Sequence, residues 1–124
     1  MKNLGVFTPC HVGVHELTDF GLSLGGKLIG HATLRFGEIP EEAYLDLSTA
    51  LSEGCFDEDE FRTLELQLGY PPVSYISIHM NYTQPAFDKA REIAEAIQAR
   101  WGGDLDYSGA GGSLENPFSP PTQP

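Results

Sequence analysis

The sequence predicts an α+β domain: a small mixed or antiparallel sheet with two to three helices packed on one face. Three segments carry that expectation. Val73 to Asn81 alternates, with Ile76, Ile78 and Met80 on one side and Tyr75, Ser77, His79 and Asn81 on the other, the period of a strand. Phe87, Ala90, Ala94, Ile97 and Trp101 recur at spacings of three and four, one face of a helix. In Leu28 to Phe36, Leu28, Ala32, Leu34 and Phe36 oppose Ile29, His31, Thr33 and Arg35, a half-buried strand weakened by Gly30.

The remaining elements follow in chain order. Leu4 to Thr8 reads as a short strand closed by Pro9. Residues 11–15 alternate in a strand-like way, and the glycines at 21, 25 and 26 mark a loop. Pro40-Glu41-Glu42 opens a helix, with Ala43, Tyr44, Leu47, Ala50 and Leu51 as its stripe and Gly54 as its stop. A second helix is expected over 57–68, since Asp57 and Glu60 have capping-box spacing and Gly69 and Pro71 follow. Gln84-Pro85 starts the helix that Gly102-Gly103 ends, and a short strand covers 105–107. Were 61–68 a strand, the order from residue 28 would be βαββαβ, the ferredoxin-like alternative.

With 124 residues, 40% of them hydrophobic and 10% aromatic, the chain suits one domain with a core. That domain is expected over residues 1–108. Residues 109–124, with three glycines and four prolines, read as a tail that adds little to it. Seven basic residues face eighteen acidic ones, for a net charge of −11. Such a field opposes nucleic acid and anionic membrane surfaces and favours a basic protein partner. No stretch resembles a membrane span or a signal peptide, so a cytoplasmic setting is expected, with Cys10 and Cys55 as free thiols.

Chemistry-bearing motifs are weak. Cys10, His11, His15 and Glu16 are close in sequence, but Val-Gly-Val is a poor helical spacer, and in a strand the two histidines would stand about 13 Å apart. They read as loop and strand-end residues, and the cysteines as buried structural ones. No nucleophile elbow, phosphate loop or dinucleotide fingerprint occurs, so no catalytic, cofactor or metal residues are assigned. Asp104 and Asp106 form only a pair.

Charge distribution is more informative. Residues 38–65 hold ten acids and one base, Arg62, a local net charge of −9. Within them Asp57, Glu58, Asp59 and Glu60 complement the start of the 57–68 helix and are the candidate steering residues toward a cationic partner. His31 and Arg35 on one strand, with Tyr75 and His79 on the other, are candidate contact residues on a polar sheet face, if the two strands are neighbours.

Leu68-Gly69-Tyr70-Pro71-Pro72 precedes a strand ending near Asn81; an alanine-rich helix then runs into Trp101-Gly102-Gly103-Asp104-Leu105-Asp106-Tyr107. This order resembles the C-terminal half of small bacterial immunity-type proteins that accompany polymorphic or type VI secreted toxins. It covers about a third of the chain and carries over no catalytic residue. The resemblance implies cytoplasmic residence and direct binding of a cognate toxin, without enzymatic activity. The alternative expectation is a small ferredoxin-like enzyme or ligand-binding domain that uses His31, Arg35 and His79 on its sheet.

Overall fold

The computed structural model describes residues 2–49, 51, 56–112 and 117–120. Strand β1 (Lys2–Thr8) leads into helix α1 (Val14–Ser23) and strands β2 (Lys27–Ile29), β3 (Thr33–Phe36) and β4 (Ala43–Asp46). Helix α2 (Glu58–Leu68), strand β5 (Ser74–Met80), helix α3 (Gln84–Trp101) and strand β6 (Asp104–Asp106) complete the chain, followed by a 3-10 turn at Ser108–Ala110. The six strands form one sheet in the order β2-β3-β4-β5-β1-β6, with every neighbour antiparallel. The fold is α+β, and its strand order is not the ferredoxin-like one.

Alternation sorts the sheet into two faces. Leu4 and Val6 of β1, Leu34 and Phe36 of β3, Ala43 and Leu45 of β4, and Ile76, Ile78 and Met80 of β5 are buried together. Against them α3 lays Ala86, Ala90, Ile93, Ala94, Ile97 and Trp101, and α1 lays Leu17. Trp101 is 8% exposed and meets Phe20 of α1 edge to face, with ring centroids 5.1 Å apart, so the two helices close over one core. Helix α2 buries Leu64 and sits against the opposite face, near Phe7 and Tyr75.

Buried hydroxyls tie the segment after β1 into this core. Thr8 Oγ1 donates to the Trp101 carbonyl, Thr49 Oγ1 donates to the Val12 carbonyl, and the Val12 amide donates to Ser74 Oγ. Each of these three buried hydroxyls thereby finds a partner.

Both helices expected after residue 57 form. Asp57 accepts from the Glu60 amide at 2.7 Å, Glu60 reaches back to the Asp57 amide, and Gly69 caps the end in the left-handed conformation. Thr83 caps α3, with Pro85 in its first turn.

The structure corrects three elements. Residues 43–46 are strand β4, not part of a helix opened by Pro40. Ala43, Leu45 and Leu47 are buried while Tyr44 and Asp46 are not, and β4 pairs with strands on both sides. Ala43 and Leu47 satisfy either period, and two partner strands outweigh the proline signal. Glu42, expected at a helix start, is instead 4% exposed; its Oε1 accepts from Asn81 and its Oε2 has no hydrogen-bond partner. Ala50 and Gly54 of that expected helix lie outside the described residues.

The second correction is α1, where a strand-like run and a glycine loop were expected. Gly21 lies inside this helix because a Cβ there would stand 2.3 Å from Leu34 Cδ1, so the bare backbone is what lets α1 approach β3. The third is residues 28–36, which form a hairpin: the chain reverses at Gly30, whose φ is +64°, leaving β2 at the sheet edge.

Beyond residue 108, Ala110 is buried in the core, the Pro117 carbonyl accepts from the Tyr107 amide, and Phe118 meets Phe7. Cys10 is free and exposed rather than buried; Cys55 lies outside the described residues. Among the described residues no helix is long and apolar enough to cross a membrane.

Candidate functional site

The sheet face turned away from α1 and α3 collects the side chains that do not enter the core. Strand register divides them into two zones. Lys27 pairs with Arg35, Arg35 with Tyr44, Tyr44 with His79, and His79 with Asn3, a continuous row across five strands. At about 4.8 Å per strand step the row spans about 19 Å. Next to it, Asn3 Nδ2 donates to Ser77 Oγ at 3.4 Å, and Ser77 Oγ lies 3.5 Å from His79 Nε2.

Arg35 and His79 thus share one row, although their strands are not neighbours: β4 separates them and contributes Tyr44. His31 does not join them. It sits exposed in the turn between β2 and β3, outside either strand.

The second zone lies at the other end of this face. Tyr75 pairs with Phe7, and their ring centroids are 4.6 Å apart. The Tyr75 side chain crosses β1 above Gly5, and its hydroxyl donates to Asp106 Oδ2 on β6 at 3.3 Å. A Cβ on Gly5 would stand 2.1 Å from the Tyr75 oxygen, so glycine is what keeps the crossing open. Burial, then the charge and hydrogen bond of Asp106, raise the Tyr75 pKa well above the ordinary tyrosine range. Tyr70 repeats the arrangement one step along β6: its hydroxyl donates to Asp104 Oδ2 at 2.8 Å, and burial and Asp104 raise its pKa as well.

Between this end of the sheet and α2 is a cavity of about 590 Å³. Phe7, Phe56, Tyr75 and Phe118 give it aromatic walls, Leu51 and Leu64 aliphatic ones, and Glu60 and Asp106 supply carboxylates. Phe7 is the hub: Phe56 lies 6.5 Å away, and Phe118 lies 6.1 Å away, edge-on at 74°. Two of the sequence-predicted residues, Glu60 and Tyr75, meet here, whereas His31, Arg35 and His79 do not line the cavity.

Asp57, Glu58, Asp59 and Glu60 are all exposed at the start of α2. Asp57 and Glu60 are occupied by the capping box, which leaves Glu58 and Asp59 as the exposed carboxylates outside it. Phe7, Phe56, Phe118 and Asp106 are site residues that sequence periodicity does not single out. Phe56 and Phe118 stand in irregular segments, and only the closeness of Phe7 unites them. No group of three or more His, Cys, Asp or Glu among the described residues is placed to hold a metal ion; His15 and Glu16 lie in the first turn of α1, with Cys10 and His11 ahead of it.

The fold and this face define an α+β protein whose antiparallel sheet carries a polar row and an aromatic cavity on the side away from its two core helices. Comparisons with protein families, with curated proteins and with solved structures found no match.

Proposed function

We propose that this chain is a non-enzymatic protein-binding protein, a cytoplasmic immunity-type inhibitor that neutralises a cognate bacterial toxin by direct contact. The observation that carries the reading is the start of α2. Four consecutive carboxylates there are exposed, and none of them has a cationic partner among the described residues. The described ion pairs, Lys89–Glu92 and Arg91–Glu95, lie on α3 instead. A concentrated unpaired charge speeds encounter with a surface of opposite sign. The Arg35–Tyr44–His79 row adds an arginine and a tyrosine, residue types enriched at interfaces, held in register on the sheet.

The test is association kinetics with the product of the neighbouring gene, because an immunity gene should lie beside its toxin gene. Glu58→Lys with Asp59→Lys is the informative variant, since it spares the capping box. Reversing Asp57 as well would remove a cap that contributes about 1 kcal/mol to the helix. Association should slow by about tenfold at low salt, and the wild-type rate should fall as salt screens the field. Equal rates for variant and wild type would reduce the acidic run to a solvated helix start. No binding to that product would remove the immunity reading.

A further inference from the structure

The cavity under α2 has a chemistry of its own. Its volume of about 590 Å³ falls within the range of about 300–1,000 Å³ common to small-molecule sites. Four of its described lining residues are aromatic: Phe7, Phe56, Tyr75 and Phe118. Aromatic faces carry negative electrostatic potential and attract organic cations, especially weakly hydrated ones. Two carboxylates, Glu60 and Asp106, line the same space, with no lysine or arginine among the described lining residues.

Asp106 is the better placed of the two. Its Oδ2 accepts from the Tyr75 hydroxyl and its Oδ1 from the Ser108 amide, so its orientation is set before any ligand arrives. Both donors are neutral, and each carboxylate oxygen retains a further lone pair. The negative charge therefore has hydrogen bonds but no countercharge. An anion would be repelled by both carboxylates, and a purely apolar ligand would leave them without a counterion. A cation on an apolar body satisfies every wall.

We propose that the cavity bounded by Phe7, Phe56, Tyr75 and Phe118 is a binding site for a small organic cation with an aromatic or aliphatic body, its ammonium group set against Asp106 and Glu60. The site shares only Glu60 with the partner-binding reading: it rests on the cavity interior and Asp106, whereas the variant that tests that reading changes Glu58 and Asp59.

The probes are 2-phenylethylamine, its neutral counterpart 2-phenylethanol, and phenylacetate, titrated into the full chain. Affinity is measured by calorimetry and the site by amide chemical-shift changes. The amine should bind about tenfold more tightly than the alcohol, and the acid should not bind. Shifts should gather around Phe7, Tyr75 and Asp106. Asp106→Asn keeps an acceptor for Tyr75, gives up the one for the Ser108 amide, and should remove most of the preference for the amine while affinity for the alcohol changes little. Glu60→Gln, which keeps the capping acceptor, should reduce the preference in part and serves if the first variant does not fold. Equal binding of amine and alcohol, no amine binding at millimolar concentration, or shifts confined to another part of the sheet would each overturn the assignment.

Discussion

The Tyr75 hydroxyl reaches across β1 to Asp106, a 3.3 Å bond between two strands that do not themselves pair. The ring passes above Gly5, the β1 residue opposite both Ser77 and Asp106. Gly5→Ala would drive a methyl group into the ring. Overpacking of this kind costs about 1–3 kcal/mol, so the variant should unfold at a lower denaturant concentration than wild type. An unchanged midpoint would mean that the Tyr75 ring moves aside freely.

The same bond predicts behaviour at alkaline pH. Burial, then Asp106, raise the Tyr75 pKa in the folded chain, so the unfolded chain releases this proton first. The associated stability is complete below about pH 10, the ordinary tyrosine value, and is lost as pH rises toward the folded-state value. Tyr75→Phe should flatten the decline of stability above about pH 10, measured by urea denaturation at several pH values. Tyr70, raised in the same direction, should leave a residual slope. Parallel curves for variant and wild type would assign the decline elsewhere.

Trp101 closes the buried stripe of α3, packs against Phe20, and offers its carbonyl to Thr8. Truncating a buried tryptophan costs about 3–5 kcal/mol, a large share of a small domain's stability. Trp101→Ala should therefore unfold the chain or lower its melting temperature severely. Normal melting together with lost partner binding would instead make this residue a surface contact.

Phe118 lies in the segment whose composition predicts a tail without a role in the core. Its ring is edge-on to Phe7, and the preceding Pro117 carbonyl accepts from the Tyr107 amide at 2.7 Å. An aromatic pair of this geometry contributes about 0.5–1.5 kcal/mol beyond area burial, and Phe118→Ala should cost at least that. Deletion from residue 110 should cost more, because it also removes the buried Ala110. A truncated chain that melts like wild type would support the reading of an inert tail.

Elements whose signals are local were legible in the sequence. Helix α2 announces itself by Asp57, Glu60 and Gly69, helix α3 by Pro85 and a stripe of five apolar residues, and β5 by strict alternation. Capping and amphipathic period act within a few residues, so one segment carries the whole signal. The α+β class follows from these three elements alone. Tertiary structure decided the rest. Ala43 and Leu47 fit a helix or a strand until β3 and β5 bracket them, and Gly21 reads as a loop until Leu34 needs the space of its missing side chain. The candidate site follows the same division. The acidic start of α2 was visible, but the Arg35–Tyr44–His79 row required β4 between its flanking strands. The meeting of Phe56 and Phe118 at Phe7 required two irregular segments to converge on one strand. Strand pairing and loop convergence join residues far apart in the chain, and no local pattern encodes which ones meet.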